Sequence, residues 1–574
     1  MPTRRAFLAR TTAAAVVFPL GASACTAGTG ASGAGGTSAK SLVFGKTDGG
    51  TTFVRNYNMF GPATQKSPNS EMIYEPLARI DYSDGAKVKP WLAKSLEFDE
   101  AGTTLTVTLR DDVTFSDGKP MTADDVVFSL GIPLADSSFN TGGTTYERVA
   151  KKDATTVTLH WKQPAFSEVG QLASIMVPIV PKHIWAGKDL KSWSNPDPVG
   201  TGPFTLERFA AQQVTLRARD DYWGGKFALK ELKVVPTSGD AVRAQLLRGE
   251  VDWALIAWNG AEKEYEAKDP ERHLYQKYAT GGTYALFFNT ARAPFDNVHL
   301  RRALAMTVPR KDIVTMLERP GTEAGPTGLV DEVFGDVILP EYRHQVQAVD
   351  AAGAQRELAL GGFTVRGGKL VKDGKSYAPR LSFNQDYGWD PYANIMIRNW
   401  QKHLGITVKQ VGAPSANLYE QQQAGDFDLT INFTIGGGVA GVYSGLSSRA
   451  HRPLGEKAAT NFGRWKDQAT DTSLGKLLGS NEPAVTKAAA EELQRIVADQ
   501  VPYSPIYNSY WFIAINASHW AGWPTPERFS HVPFPGLGPD ATLTVVAVLW
   551  GSATGLLLPR AAYRLSVEPE AAYR

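Results

Sequence analysis

Cysteine is all but missing from this chain: of 574 residues, only Cys25 carries a thiol. No intramolecular disulfide can form, so the fold must rest on packing and hydrogen bonds, whichever redox compartment it occupies. A charge excess is missing too. The formal balance is +2, but Arg4, Arg5 and Arg10 lie in the first 24 residues, which hold no acid, and the remainder carries −1. Lys and Arg alternate with Asp and Glu throughout, without a basic stripe, so nucleic acid is not an expected partner. Catalytic signatures are also lacking. No Gly-x-Ser-x-Gly elbow occurs, and the nine histidines include no pair spaced to share a helical face around zinc. Gly374-Lys375-Ser376 is no phosphate loop, because Lys369 stands where that motif needs glycine. Its surroundings, GGFTVRGGKLVKDGKSYAPRLSF (361 to 383), read as glycine-turned hairpins leading into a sheet. A secreted hydrolase is the weaker reading, the chain is expected not to be an enzyme, and neither cofactor nor metal is expected.

What is present begins with MPTRRAFLAR, two adjacent arginines before Phe7 and Leu8, followed by the apolar TTAAAVVFPLGASA. That is the layout of an export signal over residues 1–24. The Arg-Arg-x-Phe-Leu step resembles a twin-arginine signal. Ala22, Ser23 and Ala24 lead into Cys25 as in a lipobox, although Ala22 stands where that pattern usually has Leu. Cys25 is the expected lipidation site, with a plain cleavage site or a buried thiol as the alternatives. Residues 25–40 then read as the anchored thiol and a Gly/Ser/Ala/Thr tether, holding the body on the outer face of the cell membrane.

The body is mixed α/β. Alternating Val, Thr and Leu mark strands at 103–115, 154–161 and 212–219. Helical periodicity marks 299–318, 390–405 and 483–500, with Pro309 set to end or kink the first of these. Thr122 and Asp125 form a capping-box pattern opening a helix at Ala123, and Asp117-Gly118 is a turn. ATLTVVAVLWGSATGLLLP (541 to 559) is uncharged, but its β-branched residues and Gly551 suit a buried terminal strand better than a membrane span.

From residue 73 onward the motifs resemble the family 5 extracytoplasmic solute-binding proteins of ABC transporters, the oligopeptide, dipeptide, nickel and oligosaccharide receptors. IYEPLARID (73 to 81) and PWLAKSLEFDEAGTTLTVTLRDDVTFSDGKPMTADDVVFSL (90 to 130) carry the signature region. PVGTGPF (198 to 204), DYWGG (221 to 225), RGEVDWA (248 to 254), FFNTARAPFDNVHLRRAL (287 to 304), LGITV (404 to 408) and GDFDL (425 to 429) continue it. The resemblance implies a bilobed α/β fold of the type II periplasmic-binding-protein kind with an extra subdomain and a ligand cleft between the lobes. Expected boundaries are lobe I at 41–288, lobe II at 289–508, a return to lobe I at 509–550 and a tail at 551–574. The expected partners are ABC permease subunits in the membrane, and the chain is expected to be a monomer.

Aromatic and amide residues beside the family's cleft segments are the candidate ligand contacts: Tyr57, Asn58, Trp253, Trp258, Asn289, Trp389 and Tyr443. An oligopeptide is the expected solute, an oligosaccharide the alternative. The stretch after GDFDL, INFTIGGGVAGVYSG, lacks the acid that peptide receptors of the family commonly place there for the ligand's amine.

Overall fold

A computed structural model describes residues 41–47, 52–60, 72–81, 87–140, 144–174, 177–225, 229–316, 322–385, 388–434, 438–458, 460–520 and 523. The signal segment, Cys25, the tether and the chain from 524 on, including 541–559 and the tail, lie outside the described residues.

One sheet of ten strands organises the body. Its order is Lys409–Ala413, Arg380–Asn384, Leu429–Phe433, His273–Phe288, Tyr503–Asn516, Trp253–Leu255, Ser41–Lys46, Glu231–Pro236, Gln213–Ala218 and Phe204–Ala210. The two central strands are 16 and 14 residues long, far above the usual five or so. Each therefore reaches across both halves of the sheet. Tyr503–Asn516 is buried along both faces except at 509–511, the mark of a strand covered above and below.

Separate cores form on the two halves. Phe44, Tyr57, Leu232, Trp253 and Ile513 belong to one, and Leu286, Phe288, Leu381, Met396, Trp400 and Ile431 to another. A four-stranded antiparallel sheet, in the order Ala93–Phe98, Thr104–Leu109, Thr156–His160 and Arg148–Lys151, has its own core against the helix Ala123–Ala135. That helix opens on the capping box expected from the sequence, with Thr122 N–H donating to Asp125 Oδ2 at 2.9 Å.

Local expectations hold with sharper edges. Pro309 divides the 299–318 stretch into Val298–Met306 and Arg310–Met316. The last helix is Pro483–Gln500, and the glycine-turned region is a meander of Thr364–Arg366, Lys369–Lys372 and Lys375–Tyr377. The strand expected at 103–115 stops at Leu109, because Arg110 to Phe115 turn back to bridge Thr114 with Pro120.

Buried arginines tie the segments that disulfides would otherwise join. Arg219, Arg301, Arg310 and Arg464 are all buried. The Arg310 guanidinium donates to Pro505 O at 2.7 Å, Ala305 O at 3.2 Å and Ser504 Oγ at 2.7 Å. Burial pulls it down to about 10 from its ordinary value. Arg301 likewise donates to the carbonyls of Phe295, Asp296, Gln500 and Val501. Removing such a group strands several buried acceptors, each costing about 1–3 kcal/mol. Arg310→Ala is therefore expected to lower the unfolding free energy by at least ~3 kcal/mol; a urea midpoint matching wild type would refute this role.

Candidate functional site

In open α/β sheets a ligand site lies beyond the carboxyl ends of the parallel strands. Here there are two such sets. Ser41–Lys46 runs parallel to Glu231–Pro236 and Trp253–Leu255, while Arg380–Asn384 runs parallel to Lys409–Ala413 and Leu429–Phe433. Register shows where each set points. Trp253 pairs with Ile515 and Leu255 with Ile513, and Ile256 N–H donates to Phe512 O at 2.9 Å, so the first set advances toward residue 510. Leu429 pairs with Phe288 and Phe433 with Tyr284, and Thr434 N–H donates to Thr283 O at 2.8 Å, so the second advances toward residue 282. Both sets end at the middle of the two long strands.

That middle is irregular. Ala279 pairs with Tyr510 and Thr283 with Asn508, leaving residues 280–282 opposite a single residue. Gly281 takes a left-handed φ of 73°, and a Cβ on Gly282 would stand 2.6 Å from Thr434 O. Glycine is needed at both positions, at one for its φ and at the other for the close approach of a backbone.

On one face of this crossover Tyr275 stacks on Phe512, centroids 5.9 Å apart, and the Lys277 ammonium lies 3.7 Å from the centroid of the Tyr510 ring. Loops from both sides reach this face. Trp258 N–H donates to Tyr275 Oη at 2.8 Å. From the other side, Thr322 Oγ1 lies 2.5 Å from Tyr510 Oη, and Tyr510 O–H donates to Glu332 Oε1 at 2.6 Å. Asn508 Nδ2 donates to Thr322 Oγ1 at 2.9 Å. Burial raises the Tyr510 phenol above its ordinary range and lowers the Lys277 amine. Lys277, Asn508 and Tyr510 thus gather polar groups on this face, reached by Trp258 from one side and by Thr322 and Glu332 from the other. Tyr284, Tyr507, Trp389 and the half-exposed Phe433 gather as a separate aromatic cluster, with Tyr284 stacked on Tyr507 at 4.6 Å.

The family pattern described as bacterial extracellular solute-binding proteins, family 5, matches residues 87–449. Protein XP55 of Streptomyces lividans is 31% identical over 520 residues, 87% of this chain and 89% of that one. The chain belongs to the family 5 extracellular solute-binding proteins of ABC transporters. The oligopeptide-binding protein AppA of Bacillus subtilis is 28% identical over 375 residues, 62% of this chain and 67% of AppA. The mannohexaose-bound structure of a periplasmic oligopeptide-binding protein from Thermotoga maritima superposes with a TM-score of 0.71 at 23% identity, over 88% of this chain and 98% of that one. The fold is the bilobed α/β fold of these binding proteins, and the family is one of extracytoplasmic receptors.

Of the seven residues singled out in the sequence, Trp258 reaches the Tyr275–Tyr510 face of the crossover through its backbone, while its indole donates to Glu264 Oε2 at 2.9 Å. The structure does not gather the others there. Asn58 Nδ2 donates to Leu190 O and Trp193 O, and Asn289 Nδ2 to Gly425 O and Phe427 O, so both amides lock loops. Tyr57 and Trp253 lie in the core of the first half, Trp253 packed on Phe44 at 4.4 Å. Trp389 packs edge-on to Tyr284. Tyr443 O–H donates to Thr327 O at 3.1 Å, fully buried in a core with Leu329, Trp465 and Leu493. Lys277, Asn508 and Tyr510 went unnoticed in the sequence. The available signal was Gly281-Gly282 inside a long strand pattern, which marks a bulge where a backbone or ligand comes close. Among the described residues no His/Cys/Asp/Glu group could hold a metal, and no helix is long and apolar enough to cross a membrane.

Gly282→Ala is expected to force apart the Thr283–Thr434 contact, destabilising the protein by about 1–3 kcal/mol. An unchanged melting temperature would show that the close approach is not needed.

Proposed function

We propose that this protein is an extracytoplasmic receptor of an ABC importer that captures an oligopeptide in the crevice at the strand crossover and delivers it to membrane permease subunits. The observation that supports this reading is the meeting of both parallel strand sets, carboxyl ends first, on one glycine-broken two-strand crossover. Such a crossover can serve as a hinge, and ligand bound between the lobes favours the closed form by its differential affinity. Contacts far from the crossover support a closing motion between residues 41–288 and 289–508. Ser167 Oγ donates to Leu477 O at 2.9 Å, Arg449 donates to Gln163 Oε1, and Gly479 lies against Pro164. These join a segment beside the four-stranded sheet to the helix Gln468–Gly479 and the short turn Ser448–Ala450.

An oligosaccharide is the second reading, favoured by the lack of an acid in INFTIGGGVAGVYSG and by the mannohexaose held by the Thermotoga relative. We further infer export by a twin-arginine signal, a lipid anchor on Cys25, monomeric action without catalysis, and the tether of residues 25–40 as spacer from the membrane. Single-component thermal-shift assays separate the two solutes. A ligand at 100 times its Kd stabilises the native state by about 2.7 kcal/mol. Alanine-rich peptides are expected to raise the melting temperature; a shift with mannohexaose alone would move the assignment to sugars. Labelling with radioactive palmitate should mark wild type and not Cys25→Ala, and equal labelling would reject the anchor.

A further inference from the structure

The crevice floor carries one cation, and its surroundings say what it is for. Lys277 is partly buried on the strand His273–Phe288, four residues before Gly281, with its ammonium 3.7 Å from the centroid of the Tyr510 ring. No carboxylate forms an ion pair with it among the described residues. The nearby Glu332 is occupied otherwise, since its Oε1 accepts the Tyr510 hydroxyl at 2.6 Å. Beside them Asn508, 5% exposed, donates through Nδ2 to Thr322 Oγ1 while its Oδ1 has no partner. Burial lowers the Lys277 amine, with Glu332 opposing that shift. A partly desolvated cation and a buried acceptor are therefore both tied to Tyr510, Lys277 over its ring and Asn508 through Thr322 at its hydroxyl, and each lacks the group it would bind best.

We propose that Lys277 and Asn508 form a recognition point for a carboxylate-bearing unit of the solute, the ammonium pairing with the carboxylate and Asn508 Oδ1 accepting an adjacent N–H or O–H. The inference rests on solute capture at this crevice. Two solute types present that pair of groups: the last residue of a peptide, with its carboxylate and amide N–H, and a uronic acid, with its carboxylate and hydroxyls. A neutral sugar chain or a peptide blocked at its end lacks the anion. The Tyr510 ring beneath the ammonium holds the cation in place without neutralising it, and Glu332, tied to Tyr510, disfavours an anion entering from the lobe II side.

Titration calorimetry of the full chain with four probes tests this: tetra-alanine, its C-terminal amide, tetragalacturonate and mannotetraose. An acid probe is expected to bind about ten-fold or more tightly than its neutral counterpart, and whichever pair shows this identifies the source of the carboxylate. Lys277→Met and Lys277→Gln are each expected to remove that preference at an unchanged melting temperature, while Lys277→Arg keeps most of it. Equal binding of acid and neutral probes to wild type, or a preference surviving in both neutral variants, overturns the recognition point and leaves solute capture standing. Failure of all four probes to bind overturns solute capture by this crevice and the recognition point with it.

Discussion

The antiparallel ladder between His273–Phe288 and Tyr503–Asn516 belongs to both lobes at once. Its first part, from His273 paired with Asn516 to Ala279 paired with Tyr510, continues through Trp253–Leu255 into the strands of lobe I. Its second part, from Thr283 to Phe287, continues through Leu429–Phe433 into lobe II. Backbone pairing runs through the crossover with few partners on either side. Among the described residues the added edge there is the short segment from Thr322, where Asn508 N–H donates to Thr322 O and Ala324 N–H to Ile506 O. A sheet ten strands wide is thus thinnest where the carboxyl ends of the two parallel sets meet.

Elsewhere the chain is held by polar groups buried with their partners. Glu75 is an example: Tyr222 O–H donates to it at 2.7 Å, Trp91 Nε1 at 2.9 Å and Trp223 Nε1 at 3.2 Å. Burial raises its pKa above the ordinary carboxylate range, and the donors oppose that shift. Arg79 lies over Trp91 and Arg110 over Trp223, so cation, ring and carboxylate form one connected group beside the lobe I core. Arg219, Arg301, Arg310 and Arg464, also buried, do similar work with backbone carbonyls. Such groups are costly when half-satisfied and rigid when fully satisfied. In a protein without disulfides they tie together segments far apart in sequence.

Much of this was legible beforehand, and the boundary of legibility has a physical cause. Helices with strong periodicity and caps, such as Pro483–Gln500 and Ala123–Ala135, stood out because their signals are local. Pro309 broke its helix as its ring geometry demands. The face proposed for the ligand was not legible in the same way. Trp253, Asn58 and Asn289 carry residue types that binding sites favour, yet cores and loops use the same indoles and amides, and only long-range pairing distinguishes the two uses. Lys277 and Tyr510 are 233 positions apart in sequence and meet because of a register that no single segment encodes. The glycine pair at 281 and 282 was the one local trace of that meeting.

The central claim is that solute binding turns the lobes about the 279–283 and 508–510 crossover. Spin labels at Lys162→Cys and Lys457→Cys, in a chain with Cys25→Ser so that no other thiol is present, report the separation of the two lobes by double electron–electron resonance. The account predicts a broad distance distribution without solute that shortens and narrows when the solute that raises the melting temperature is added. An identical distribution in both states would contradict it.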